Sequence, residues 1–137
     1  MKMIITTKGQ YALRVMFDLS THSGDGAVSL KEIADRQQLS MKYLEAIIGV
    51  LHKADFVKST RGKYGGYELT KSPAEYTVGS VLKLMEGTLS PVDCIDCGDN
   101  CERAGDCLTH PMWTKLGKLI EDYLESITIE DLLESRV

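Results

Sequence analysis

At 137 residues, with 43% hydrophobic content and a formal net charge of −4, the chain is long enough for one domain with a modest core, and nothing in it demands two. No apolar run approaches the about 20 residues of a membrane-crossing helix, and Met1 to Thr6 is too short for a secretory leader, so a soluble, cytoplasmic protein is expected. The negative balance excludes indiscriminate nucleic-acid affinity but not a basic face: residues 1–64 hold ten Lys and Arg against six Asp and Glu, +4 in all, which leaves −8 for the remainder.

In chain order, Tyr11, Ala12, Val15, Met16 and Leu19 recur at helical spacing over residues 8–22, and Ser23-Gly24-Asp25-Gly26 ends the pattern. Ser29-Leu30-Lys31-Glu32 fits a capping box that opens a short helix reaching Gln38. Ser40 then caps a helix from Met41 to Lys53, whose Leu44, Ile47, Ile48 and Leu51 share one face and leave the other free. Two short helices joined by a tight turn form a helix-turn-helix, whose second helix enters the major groove N-terminus first. Phe56–Thr60 and Tyr67–Leu69 predict two strands around Arg61-Gly62-Lys63-Tyr64-Gly65-Gly66, where glycines permit the turn and two cations make a basic wing. The fold class expected is therefore mainly α: a winged helix-turn-helix with a small β-hairpin and a long C-terminal dimerisation helix.

Further on, Val78, Val81, Leu82 and Met85 predict a helix over 77–86, closed by Gly87. From Pro111, Trp113, Leu116, Ile120, Tyr123 and Ile127 recur in alternating steps of three and four, the spacing of a coiled-coil seam, and so predict a dimerisation helix. The same stripe can also pack on its own domain. Thr128-Ile129-Glu130-Asp131 opens a short acidic tail helix, which could pack against the partner subunit. Residues 1–76 form the DNA-binding head on this reading, and residues 77–137 carry the cysteine-rich loop and the dimerisation helices within the same compact domain.

Between them lies Cys94-Ile95-Asp96-Cys97-Gly98-Asp99-Asn100-Cys101-Glu102-Arg103-Ala104-Gly105-Asp106-Cys107-Leu108-Thr109-His110. Four thiols and an imidazole among small and polar residues suit zinc or an iron-sulfur cluster better than a disulfide, unliganded redox thiols or core packing. Structural zinc sites usually show two close pairs, and only Cys94 and Cys97 make one here. Spacing alone leaves the choice open. A hydrolytic enzyme is not supported: His22 and His52 read as solvated helix residues, with no nucleophile, base and orienting acid grouped around them.

Thr7-Lys8-Gly9-Gln10-Tyr11-Ala12-Leu13, the stretch Ser40 to Glu45, the wing from Arg61-Gly62 to Gly65-Gly66-Tyr67, and Cys107-Leu108-Thr109-His110 followed by Trp113 together resemble the Rrf2 family of winged-helix regulators, above all its iron-sulfur cluster members. The likeness covers nearly the whole chain. It implies cluster ligands at Cys94, Cys101, Cys107 and His110; the match from Val78 to Cys94 needs no gap and favours Cys94 over Cys97. Six residues separate Cys94 from Cys101, where the nearest members of the family have five, and Cys97 is extra. A [2Fe-2S] cluster is the favoured cofactor, with [4Fe-4S] as the alternative if Cys97 replaces His110. The resemblance further implies base contacts from Ser40, Lys42 and Glu45 and a minor-groove contact from Arg61, with Lys63 beside it on the wing. Lys42 stands where relatives often carry a small polar residue. Family members without a cluster, which take a metabolic enzyme as partner, match this cysteine set poorly.

The function expected is thus a homodimeric regulator, a repressor in its simplest form, that binds a double-stranded operator and senses cluster, redox or nitric oxide status. A small electron-transfer protein would explain the cysteines but not the helix-turn-helix. A zinc-stabilised regulator would keep the DNA head without a cluster switch.

Overall fold

The computed structural model describes residues 5–22, 24, 26–63, 65–91 and 108–135. Helix α1 (Thr7–Thr21) buries Ala12, Val15, Met16 and Leu19, the apolar face its spacing predicts. In α2 (Leu30–Gln37) the Ser29 hydroxyl accepts from the Glu32 amide at 3.2 Å. The expected box is only half formed, because no bond returns from the Ser29 amide to the Glu32 carboxylate. Gln38 adopts a left-handed conformation with φ 56°, which stops α2 and turns the chain within two residues into Ser40. Ser40 caps α3 (Met41–Lys53) by accepting from the Tyr43 amide at 3.2 Å, and α3 buries Leu44, Ile47, Ile48 and Leu51 as predicted.

The hairpin pairs β1 (Val57–Thr60) with β2 (Gly66–Leu69) in antiparallel register, Val57 opposite Leu69 and Thr60 opposite Gly66. Phe56 lies outside the strand because its amide still donates to the Leu51 carbonyl at the end of α3, at 2.9 Å. Val28 exchanges two 2.8 Å backbone bonds with Tyr67, so the loop before α2 adds a third short rung to the sheet. Gly66 makes this possible: a Cβ there would collide with the Val28 carbonyl.

A single 3₁₀ turn, Pro73–Glu75, follows the wing behind a capping box of Ser72 and Glu75, a feature the sequence reading did not include. Helix α4 (Val78–Glu86) is capped by Thr77, which accepts from the Ser80 amide at 2.9 Å. Helix α5 (His110–Ser126) and the short α6 (Ile129–Leu133) complete the described chain. One cluster, including Met16, Ile33, Leu44, Ile47, Leu51, Val57, Val81 and Ile129, forms the core; a second joins Val78, Leu82, Leu89 and Ile127.

Two parts of the C-terminal segment pack on their own chain. The tail helix α6 packs on its own α1 and the 3₁₀ turn, with Ile129 fully buried. Ile127, placed by spacing on the dimerisation stripe, lies beyond the end of α5 and is buried in its own chain. Backbone pairing enforces both. The Val78 amide donates to the Ile127 carbonyl at 2.8 Å, the Ile129 amide donates to the Tyr76 carbonyl at 2.9 Å, and Thr77 bridges Thr128. Among the described residues, no helix is long and apolar enough to cross a membrane.

Candidate nucleic-acid interface and cofactor ligands

With one face of α3 in the core, the opposite face exposes Met41, Lys42, Glu45, Ala46, Gly49 and Lys53. Lys42 and Glu45 make no hydrogen bond or ion pair with any described residue, so both charges are available to a ligand. The Ser40 hydroxyl spends an acceptor position on the cap and keeps its proton to donate. Arg61 and Lys63 are exposed on the wing, immediately after β1, which itself packs against α3. Lys58 stands 3.8 Å from Glu68 across the hairpin.

What holds this face in place was largely missed by sequence reasoning. Asp18, only 3% exposed, receives two bonds from Arg36 at 2.7 and 2.9 Å and one from the Gln37 amide group at 3.0 Å. Burial alone would raise its pKa, but these hydrogen bonds and the Arg36 charge outweigh that, and the carboxyl is held below its ordinary range. Arg14 donates to the Gln37 carbonyl at 2.9 Å and to its side-chain oxygen at 3.1 Å, and lies over the Tyr11 ring, which meets Tyr43 edge-on at 5.7 Å. The last turn of α2 is thereby fastened to α1 on two sides, and the tight turn leads α3 out at a fixed angle. The available signal was an acid at a buried position of the α1 stripe; its partner lies 18 residues away, beyond any local pattern.

The root of the wing is fastened by Tyr76, whose hydroxyl donates to the Phe56 carbonyl at 2.8 Å and accepts from the Lys71 amide at 3.0 Å. The N-terminus of α1 is fastened by Glu86. Its carboxylate accepts from the Thr6 hydroxyl at 2.6 Å and the Thr6 amide at 3.3 Å, across a sequence gap of 80 residues. Gly9 leaves the room: a Cβ there would stand 2.7 Å from the Glu86 carboxylate.

Cys94, Cys97, Cys101 and Cys107 lie outside the described residues, and no cluster of three or more metal-ligating side chains occurs among those described. His110 is described, as the first residue of α5. Its Nδ1 is buried and has no hydrogen-bond partner among the described residues. An imidazole nitrogen withdrawn from water and left unpaired costs about 1 to 3 kcal/mol unless something else takes it, and a neutral imidazole nitrogen is a common metal ligand. Three residues from Cys107, this donor fits the implied ligand set.

The exposed surface of α5 carries Met112, Leu116, Leu119 and Tyr123, from 37% to 59% accessible and spaced by four, three and four residues. Leu116 and Tyr123 were expected there. Trp113 and Ile120 are half-buried at its margin, whereas Met112 and Leu119 were missed, since the sequence supports two overlapping stripes of similar spacing and packing against α4 selects between them.

The chain matches the family described as Rrf2, iron-dependent transcriptional regulator, over residues 5–135. It is 37% identical over 134 residues to the HTH-type transcriptional regulator IscR of Pectobacterium carotovorum, covering 98% of this chain and 81% of that one. Among solved structures it is similar to CymR, the global cysteine regulator of B. subtilis, with a TM-score of 0.83 at 37% identity over 97% of this chain and 98% of that one. It is also similar to T. potens IscR, with a TM-score of 0.80 at 41% identity over 98% of this chain and 89% of that one. With a winged helix-turn-helix and relatives of this kind, the chain belongs to the Rrf2 family of transcription regulators, DNA-binding proteins and not enzymes.

Proposed function

We propose that the protein is a homodimeric, sequence-specific regulator that holds an iron-sulfur cluster on Cys94, Cys101, Cys107 and His110, with Cys97 as an alternative ligand. Ser40, Lys42 and Glu45 on α3 and Arg61 and Lys63 on the wing contact the operator. The observation that carries the cofactor assignment is the buried Nδ1 of His110, unpartnered among the described residues. When bound, an iron-thiolate cluster supplies sensitivity to iron supply, oxidants or nitric oxide. The chain's own part is mechanical. His110 opens α5, and the far end of α5 is tied through Ile127 and Thr128 to residues 76–78 at the base of the wing. A force on the first turn of α5 therefore reaches the reading head through a rigid element, and it shifts DNA affinity by whatever differential contact the two states make.

The exposed stripe on α5 supports the dimer. Oxygen-free purification with iron and sulfide assay, an absorption spectrum, and operator titration of cluster-loaded and metal-free protein test the proposal. Coloured protein with different affinities in the two forms is expected. Colourless, zinc-bearing protein would replace the cluster by a structural metal. Colourless, metal-free protein would favour a signal of another kind, a reading that the likeness to CymR supports. Equal operator affinity of the two forms would remove the switch.

A further inference from the structure

The exposed face of α3 carries one feature that charge does not explain. Ser40, Lys42, Tyr43 and Ala46 line a shallow depression of about 330 Å³ whose walls are almost wholly apolar. It sits on the first turns of the helix, the part that meets base edges in a helix-turn-helix. Its floor is rigid: the Tyr43 ring is half-buried and held edge-on against Tyr11, and Tyr43 and Ala46 are both fixed within the capped helix. The Lys42 stem supplies methylenes on one side while its ammonium reaches outward. One turn further along, Gly49 carries no side chain and has nothing within 4 Å of where a Cβ would stand, so that position adds no bulk beside the depression.

Of the groups that base pairs present in the major groove, only the 5-methyl of thymine is apolar, and alanine is among the side chains that pack on it. We propose, resting on the DNA-binding reading above, that Ala46 is a specificity-determining residue that receives a thymine methyl, with Tyr43 and the Lys42 stem as its walls. Glu45, next along the helix and without an ion pair among the described residues, accepts from a cytosine amino group at a neighbouring step. This helix would therefore select a half-site with a thymine at one step and a cytosine at a neighbouring one, through one methyl and one amino group.

The test uses the full-length protein on a randomised duplex library, followed by anisotropy titration of the enriched site with each thymine replaced singly by deoxyuridine, which removes only the methyl. At one position per half-site the wild type should weaken roughly fourfold, the value of one buried methyl. In Ala46→Gly the same replacement should have no effect. Ala46→Ser, which keeps a side chain of similar size with a polar end, should also lose the discrimination, and it guards against a loss of helix stability in the glycine variant. If uracil is tolerated at every position by the wild type, or weakens wild type and both variants equally, the inference is overturned while the DNA-binding reading stands. If no sequence is enriched at all, the DNA-binding reading itself falls.

Discussion

Asp18 is the ionisable residue among the buried residues of α1, and the fold tolerates it because Arg36 and Gln37 satisfy both oxygens. Its lowered pKa sets the sign of a pH effect. The unfolded chain binds this proton near about pH 3.9, the folded chain only at lower pH, so the stabilisation is complete above the unfolded value and is lost as pH falls through the folded one. Asp18→Asn should cost about 2 kcal/mol in urea denaturation at pH 7, less than for a fully enclosed pair because Arg36 is 36% accessible. The gap between variant and wild type should stay constant down to about pH 5 and narrow as pH drops beneath about 4. A gap that widened towards acid would contradict the assignment. His110 predicts the opposite pattern: replacing it by alanine removes an unsatisfied atom, so the metal-free protein should melt within about 1 kcal/mol of wild type while its iron content after anaerobic preparation falls. Neither residue's environment was legible beforehand. The thiols were recognised as a ligand set, but what made His110 an open donor is a burial state, which spacing does not encode.

At the scale of elements, the helices were readable because their apolar periods and their caps agreed. Ser29, Ser40, Thr77 and Thr128 all accept from the amide three residues on. Ser40→Ala should destabilise the protein by about 1 kcal/mol through the cap alone, measured by thermal melting, apart from any lost contact with DNA. Glu45→Ala should relax preference at one base pair by about 1 to 3 kcal/mol, and Arg61→Ala should weaken binding to the selected site. Selection from a random library with each variant would check both, and an unchanged preference in Glu45→Ala would displace α3 as the reading element. The cap of α1 was not readable, because Thr6 does not cap with its own side chain; Glu86 reaches it from the last turn of α4. A double-mutant cycle of Thr6→Val and Glu86→Gln should therefore show a coupling of about 0.5 to 1.5 kcal/mol, and additivity would disprove the link.

For the whole molecule, hydrophobic spacing found the helix that carries an exposed apolar stripe, α5, but not which residues line it, because a single chain cannot tell which of two adjacent stripes its own α4 will cover. Leu119→Glu sets a charge on the most exposed apolar residue of α5 without touching the core. By analytical ultracentrifugation it should turn a dimer into a folded monomer, with unchanged helical circular dichroism and at least a tenfold loss of operator affinity, because two linked heads bind far better than one. A variant that still sediments as a dimer would move the interface elsewhere.

The return of the chain from α5 to the segment at 76–78 has a geometric consequence for such a dimer. Were α5 joined to the head by a slack tether, two subunits would sample many separations and tolerate half-sites at many spacings. Pinned at Thr77 and Thr128, each α5 behaves instead as the arm of a caliper. The crossing angle of the two arms sets the jaw width, so inserting or deleting one or two base pairs at the centre of the operator should be punished far more heavily than a mismatch inside either half.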